Sequence, residues 1–264
     1  MPLKILAWFG QLAFLSLEKL AGFLRGTAGC AGLVWKTTLR LPLMFKNVSL
    51  SVEQMYTIGI ESIPLVSVTA IFLGAETVIQ AEYQFRNLVP SKYLGVAVCK
   101  SIINELGPVV TSLVFSGRVA TAIAAEIGSM RSTEQIDAMN ILDLDPIRYL
   151  VVPKTIACII MAPVLVIWSE LLAVLGSIVT VMVGLDVTPY VYMTGLKLFF
   201  NPIDLFTGLL KSMIFGAIIA LTGSYFGYEV KGGAEGVGNA TTRSVMTAAV
   251  LILIVDFIIA SLIW

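Results

Sequence analysis

Five long apolar runs constrain the fold of this chain more than any other feature of its sequence. They cover approximately residues 56–77, 95–127, 149–184, 205–228 and 244–264. A helix needs about 20 apolar residues to cross the hydrocarbon core of a bilayer, and each run is long enough to do so. The sequence therefore predicts an all-α integral membrane protein with about five transmembrane helices.

Composition supports this interpretation and argues against several classes of function. Of the 264 residues, 58% are hydrophobic and 13% are charged, against roughly 25% charged in an ordinary soluble domain. The net charge is zero and the basic residues form no clusters, which argues against nucleic-acid binding. Histidine is absent and Cys30, Cys99 and Cys158 lie far apart, so we expect no metal site and no Cys–His nucleophile.

Residues 1–50 differ from the five apolar runs. Polar residues recur every seven positions from Lys4 to Arg25, which places them on one narrow stripe of an otherwise apolar helix. Such a helix is typical of the membrane interface. A transmembrane span is the alternative, but Glu18 would lie in its middle. We therefore predict an N-terminal interfacial helical segment over residues 1–50 and a transmembrane domain over residues 51–264.

The loops between the runs differ in their lysine and arginine content, which indicates the orientation of the chain. Residues 1–54, 126–149 and 229–243 carry ten Lys or Arg, whereas residues 79–93 and 185–206 carry three. Loops enriched in these residues remain in the cytoplasm. The sequence thus predicts a cytoplasmic N-terminus and a C-terminus on the opposite side of the membrane.

The sequence contains no nucleotide-binding or hydrolase motif. Lys211-Ser212 resembles the end of a phosphate-binding loop, but Leu210 stands where that motif requires glycine. No G-x-S-x-G motif is present, and no histidine could serve a serine nucleophile as a base. We therefore predict no catalytic residue and no cofactor bound by this chain, so active transport would need energy from a partner or an ion gradient.

Among the charged residues within the apolar runs, we single out Glu105, Glu170, Lys211 and Asp256 as needing a structural explanation. Each costs about 2.5 to 3.5 kcal/mol in hydrocarbon on insertion scales, so each should face protein or a water-filled cavity. We predict that Glu105 and Lys211 line a functional cavity, with purely structural pairing as the alternative. Asp256 is predicted to make a separate, structural hydrogen bond.

Small residues form a regular ridge in two of the runs. They occur at Ser112, Ser116, Ala120, Ala124 and Gly128 in the second run, and at Gly223 and Gly227 in the fourth. A spacing of four keeps such residues on one helix face, where another helix can approach closely. The alternative is that small residues are common in any membrane helix.

The polar segment at residues 126–140 separates the second and third runs. Its pattern predicts an amphipathic helix, with Ser132 and Gln135 at the spacing of a capping box. Asp145 and Pro146 then fit the N-cap and first position of the next helix. A short polar helix on the cytoplasmic side suits the docking of a soluble motor, and an ordinary solvated loop is the alternative.

A series of motifs follows along the chain: Glu105-Leu-Gly-Pro-Val-Val110, Gly117-Arg118, Ala125-Glu126-Ile-Gly128, Met130-Arg-Ser-Thr-Glu-Gln135, Asp145-Pro146 and Ala240-Thr-Thr-Arg243. Together they strongly resemble the MlaE permeases of bacterial ABC transporters, over roughly residues 50 to 264. The N-terminal helix is also similar to the interfacial helix of that family.

The resemblance implies a non-catalytic permease that moves glycerophospholipids between the inner membrane and the outer envelope and maintains outer-membrane lipid asymmetry. It implies a second copy of the chain, ABC ATPase subunits that carry ATP and Mg²⁺, a periplasmic MCE-domain protein and, often, a cytoplasmic STAS-domain subunit. The chain would be a multi-pass protein of the bacterial inner membrane, with its C-terminus in the periplasm.

The same resemblance implies roles for individual residues. The lipid cavity would be lined by Glu105, Leu106, Val109, Val110, Leu113, Lys211 and Arg243. The coupling helix, about residues 126–140, would contact the ATPase through Glu126, Met130, Arg131, Glu134, Gln135 and Met139. Asn104 departs from the family pattern, because some members carry a basic residue there, and this departure bears on contact with the lipid headgroup.

Two other functions are alternatives to a lipid permease. An ion-coupled secondary transporter of an amphipathic substrate would use Glu105 and Asp256 as proton carriers and would need no ATPase. Such transporters are commonly built from internal repeats, and this sequence shows no convincing one. A lipid-modifying enzyme would need a His, Cys or paired-carboxylate site, whereas the close carboxylates Asp143 and Asp145 fit a helix cap better.

Overall fold

The computed structural model describes residues 32–40, 48–85, 89–90, 92–185, 187–198 and 201–263, and its regular structure is entirely helical. Five candidate membrane spans lie within these ranges, at Val48–Phe85, Lys92–Ser132, Ile147–Gly184, Pro202–Tyr228 and Gly233–Ile263. The prediction of an all-α membrane protein with five spans is therefore confirmed. The interfacial helix predicted before residue 32 lies outside the described residues.

The helices are numbered in chain order, and several spans contain a short irregular turn. Helix α1 covers residues 32–40. The first span consists of α2 (Val48–Gly59), a 3₁₀ turn at Ile60–Ser62 and α3 (Ile63–Phe85). The second consists of α4 (Lys92–Ser101), a π-helical turn at Ile102–Leu106 and α5 (Gly107–Ser132).

The remaining elements form the third, fourth and fifth spans and the short helices between them. Helix α6 (Gln135–Ile141) is short, and a π-helical turn at Ile147–Val151 leads into α7 (Val152–Gly184). Helix α8 (Pro189–Leu198) precedes α9 (Pro202–Tyr228) and α10 (Gly233–Ile263). Because successive spans alternate in direction, one end of the bundle carries α6 and the other carries α8. We call these the α6 end and the α8 end.

The core of the bundle lies between α5, α7 and α9. Its largest buried apolar side chains include Phe115 on α5, Leu165 on α7 and Phe215 on α9, with Ile252 of α10 packed against them. Ser244 of α10 also donates a hydrogen bond to the carbonyl of Ala120 at 3.5 Å. The central helices therefore bury apolar side chains against each other, while many apolar side chains on the outside of the bundle stay exposed, as lipid contact requires.

The two predicted ridges of small residues pack against each other. All five ridge residues of α5 are buried. On α9, a Cβ atom added at Gly223 would lie 3.2 Å from the carbonyl oxygen of Ala120, and one at Gly227 would lie 3.2 Å from that of Ala124. The absence of side chains at the two glycines thus lets α9 approach the backbone of α5 closely.

Residues 126–140 do not form one helix, contrary to the prediction. Helix α5 continues to Ser132, because Ile127 and Gly128 are still buried in the bundle. The chain then turns at Glu134, whose φ of 60° is left-handed, and α6 begins at Gln135. The capping box was also wrong: Ser132 is still helical, no described side chain caps α6, and the Gln135 amide donates to the Thr133 hydroxyl instead.

Candidate functional site

A buried ion cluster lies inside the bundle, on the α8 side of its middle, and is centred on Lys211 of α9. The Lys211 ammonium is 2.9 Å from Glu105 Oε1, 2.9 Å from Asp256 Oδ1 and 3.3 Å from the carbonyl oxygen of Asn104. Only 1% of the Lys211 side chain is exposed. The structure therefore brings Glu105 and Lys211 together, as the sequence led us to expect.

Asp256 belongs to the same cluster, so its predicted separation from the other two charges was incorrect. Its carboxylate on α10 forms an ion pair with Lys211, although Oδ1 lacks hydrogen-bond geometry toward any described residue. The sequence could not reveal this contact, because the residue lies on a different span whose rotation depends on packing. With two carboxylates and one ammonium, the cluster carries a net negative charge when all three groups are ionised.

The π-helical turn at Ile102–Leu106 positions Glu105 and frees a backbone oxygen for Lys211. In a regular α-helix the N–H of residue 108 would bond to the carbonyl of Asn104. Pro108 has no N–H, so that bond cannot form. The Asn104 carbonyl accepts a hydrogen bond from Lys211 Nζ. Pro108 therefore explains why the Asn104 carbonyl is available as a hydrogen-bond acceptor inside the span.

The predicted apolar wall lies along α5 beside Glu105. Leu106, Val109, Val110 and Leu113 are all partly buried, and Val109 and Leu113 also pack against the bundle core. Arg243, in contrast, does not join the cluster. It lies on α10 thirteen residues before Asp256, which corresponds to about 20 Å along the helix, and it is exposed near the α6 end. The structure thus separates Arg243 from the predicted lipid cavity.

A cavity of about 220 Å³ opens near the cluster at the α8 end. It is lined by Asn104, Asn201, Ile203, Asp204, Thr207, Lys211 and Ile263. The sequence did not single out Asp204, which lies at the border of the fourth apolar run and in the first turn of α9. The signal in the sequence was an acidic residue two positions after a proline, a pattern that is typical of the first turn of a helix.

Glu170 of α7 is the last of the four charged residues singled out in the sequence and lies deep in the bundle. It is buried, and its Oε1 atom accepts no hydrogen bond within the described ranges. A Cβ atom added at Gly107 would lie 2.9 Å from Glu170 Cγ, and one at Gly208 would lie 3.7 Å from Oε1. The two glycines therefore provide the space that this side chain occupies.

The predicted coupling residues divide between α5 and α6. Glu126 belongs to α5, where it binds the buried Lys154 of α7, and Met130 packs on the core. Arg131 at the end of α5 pairs with Asp137 of α6 and so ties the two helices together. Among the remaining predicted residues, Glu134 and Gln135 are exposed and Met139 is partly buried.

The most exposed apolar residues of this segment lie at the end of α6 and just after it, and they were missed in the sequence. Ile141 is 85% exposed, Leu142 is 70% exposed, and Leu144 is also exposed, whereas Ile136 anchors α6 in the core. We call Ile141, Leu142 and Leu144 the apolar tip. It lies in the connection between two candidate spans, and an exposed apolar patch in such a place is typical of an interaction surface. The signal in the sequence for this exposed surface was a cluster of three apolar residues in an otherwise polar loop.

Asp145 caps the third span, as predicted. Its Oδ1 accepts a hydrogen bond from the N–H of Ile147 at 3.1 Å. Its Oδ2 binds the guanidinium of Arg40, so α1 is attached to the loop that carries the apolar tip.

Within the part of the chain that the structure describes, no cluster of His, Cys, Asp or Glu could hold a metal ion.

Comparison with known proteins agrees with this architecture. The sequence profile of the family described as Permease MlaE matches residues 51–262. A probable ABC transporter permease of Rickettsia bellii is 41% identical over 224 residues, covering 85% of each chain. One from Synechocystis is 39% identical and one from Porphyra purpurea is 37% identical, over 80% and 79% of each chain. This multi-pass membrane protein therefore belongs to the MlaE family of ABC transporter permeases.

Proposed function

We propose that this chain is the permease subunit of a bacterial ABC transporter that moves glycerophospholipids between the inner membrane and the outer envelope and maintains outer-membrane asymmetry. The observation that carries the proposal is the ion cluster of Glu105, Lys211 and Asp256 inside an apolar bundle. Charges at this depth are costly unless they face a polar partner or a water-filled cavity. A phospholipid combines a polar headgroup, which such charges can contact, with apolar tails.

The surroundings of the cluster support a lipid substrate. Glu105 is partly exposed, and the apolar wall from Leu106 to Leu113 adjoins it on α5. A phospholipid needs an apolar path for its acyl chains beside a few polar groups that orient its headgroup. The cluster and the adjoining wall supply both, with Glu105 and the wall on the same span.

The α6 end supports coupling to a partner ATPase. Helix α6 is anchored through Ile136 and tied to α5 by the pair between Arg131 and Asp137. Force applied to the apolar tip would therefore be passed to α5, the helix that also begins beside Glu105. ATP and Mg²⁺ are bound by the ATPase in this proposal, and the permease itself performs no hydrolysis.

The proposed assembly contains further partners. A second copy of this chain, two ABC ATPase subunits and a periplasmic MCE-domain protein would form the transporter, with a STAS-domain subunit in the cytoplasm. The α6 end would then face the cytoplasm and the α8 end the periplasm, with the N-terminus inside. The lysine and arginine bias of the loops supports this orientation.

Lipid that co-purifies with the complex tests the proposal. Glu105→Leu and Lys211→Ala should lower the amount of phospholipid per protein, measured by mass spectrometry after extraction. Lys197→Ala is the matched control, because this lysine is exposed on α8 and makes no contact with the cluster. Unchanged phospholipid in both cluster variants would refute the cavity assignment.

An ion-coupled transporter is the second candidate, because Glu170 provides a buried carboxylate without a hydrogen bond to Oε1 in the described structure. The two functions differ in their energy source. Reconstitution of the chain in liposomes with and without its ATPase distinguishes them. Lipid movement that requires the ATPase and ATP supports the permease, whereas movement driven by a proton gradient alone supports the second candidate.

A further inference from the structure

The cavity at the α8 end contains a buried carboxylate whose ion pair with a described residue is long. Asp204 is 9% exposed and lines the cavity. The ammonium of Lys100 lies 3.9 Å away, which is beyond hydrogen-bonding distance, and its side chain is half-exposed. Asp204 lies in the first turn of α9, where the positive end of the helix dipole favours the ionised form.

Two of the other polar side chains of the cavity can also accept hydrogen bonds. Asn104 Oδ1 is buried and has no hydrogen-bond donor among the described residues. The Thr207 hydroxyl donates its proton to the carbonyl of Ile203 at 3.0 Å, which leaves its oxygen lone pairs free to accept. Together with Asp204, these two side chains offer acceptors to a ligand with several donors.

Lys211 lines the cavity but cannot serve an anionic ligand there. Its ammonium is enclosed by Glu105, Asp256 and the Asn104 carbonyl, and 1% of its side chain is exposed. A phosphate group placed in the cavity would therefore meet the Asp204 carboxylate and no available cation among the cavity residues. A primary ammonium group, with one positive charge and three donors, fits the same surroundings.

We propose that this cavity binds the primary ammonium of a zwitterionic glycerophospholipid headgroup, with Asp204 as its counter-ion. The inference rests on the proposed lipid transport and names the headgroup that the site prefers. Two features place a lipid there. Asp204 lies at the end of a span, at the depth of lipid headgroups, and the exposed Ile203 and Ile263 line the same cavity beside it.

The test uses the full transporter complex in nanodiscs that contain equal amounts of phosphatidylethanolamine and phosphatidylglycerol. Native mass spectrometry of the released complex gives the ratio of the two lipids bound. We expect the wild type to be enriched in phosphatidylethanolamine by about tenfold, as a charge-assisted hydrogen bond predicts. Asp204→Asn should bring the bound ratio to within about twofold of the bulk ratio, because the charge is lost.

Three further variants keep the test specific. Asp204→Glu retains the charge and should retain most of the enrichment. Lys100→Met removes the neighbouring cation and should preserve or raise the enrichment, whereas a loss would show that the enrichment depends on Lys100 and would overturn the inference. Glu235→Gln is the matched control, because this exposed residue is the acid in the first turn of α10 at the opposite end.

The outcomes separate this inference from the proposed function. A wild-type complex that binds both lipids equally overturns the headgroup preference and leaves lipid transport intact, whereas a complex that binds no phospholipid refutes lipid transport itself. Soluble ethanolamine forms the other arm. If it displaces the bound lipid at millimolar concentration and binds with the same dependence on Asp204, the ligand is a free amine and the lipid assignment is wrong.

Discussion

Lys154 on α7 donates hydrogen bonds to both carboxylate oxygens of Glu126 on α5, each at 2.8 Å. The same ammonium is 3.0 Å from the Gln54 amide oxygen on α2, so three spans meet at one charge near the α6 end. The two partners differ in exposure, because 2% of the lysine side chain and 51% of the glutamate side chain are exposed. Removing one partner is therefore not equivalent to removing the other.

Glu126→Ala should destabilise the protein more than Lys154→Met. The first change leaves a buried ammonium with Gln54 alone and should lower the free energy of unfolding by about 2 kcal/mol, less than a fully buried pair would lose. The second places an apolar chain of similar length in a buried position and should cost less than about 1 kcal/mol. Denaturation of the purified protein in micelles measures both, and the reverse order would contradict this account.

Close approach of α5 and α9 predicts a steric effect at Gly227. A Cβ atom at this position would lie 2.8 Å from Ile127 Cβ, so Gly227→Ala should lower the free energy of unfolding by about 1 to 3 kcal/mol through overpacking. Gly238→Ala on α10 is the control, because nothing lies within 4 Å of its Cβ position. Equal melting temperatures for the two variants would show that the helices are not in tight contact.

The apolar tip predicts where the ATPase binds. Ile141→Asp with Leu142→Asp should weaken co-purification of the ATPase by about tenfold or more, since two large apolar contacts are lost. Arg131→Glu and Glu134→Arg should also reduce ATPase binding or stimulated hydrolysis. Tyr190→Asp, an equally exposed site on α8, should have no effect. ATPase binding that survives all changes at the α6 end would rule out coupling through this segment.

Pro108 offers a test of the backbone contact with Lys211. Pro108→Ala restores an N–H that can bond to the Asn104 carbonyl in a regular α-helix, and this donor would compete with the lysine ammonium. We expect about fivefold less co-purified phospholipid, the effect of roughly one hydrogen bond. Pro163→Ala, in the middle of α7, is the matched control. A lipid content equal to that of the wild type would mean that the π-helical turn does not position the cluster.

The sequence was sufficient for features that depend on apolar length and spacing along one helix. Apolar length determined the five spans, and the interval of four residues determined the ridge on α5 that meets Gly223 and Gly227. The sequence also singled out Glu105 and Lys211 together as residues of one cavity, with structural pairing as the alternative, because charges in hydrocarbon need a polar partner or water.

Features that depend on helix rotation were not predictable. Asp256 joins Lys211 only because α10 presents that face to the bundle, and Lys154 is buried only because Glu126 and Gln54 lie beside it. The break between α5 and α6 occurs at Glu134, where no glycine signals a left-handed residue. The first two contacts depend on residues far away in the chain. The third feature depends on a left-handed backbone conformation that a residue other than glycine does not favour.

The ion cluster around Lys211 also constrains how the protein enters the membrane during synthesis. Glu105, Lys211 and Asp256 belong to the second, fourth and fifth spans, so each charge leaves the ribosome at a different time. Until the fourth span arrives, Glu105 lacks its lysine partner and carries a cost of about 2.5 to 3.5 kcal/mol in lipid. The insertion machinery would therefore have to retain the second span until Lys211 emerges, and Asp256 would enter a bundle in which that ion pair already exists.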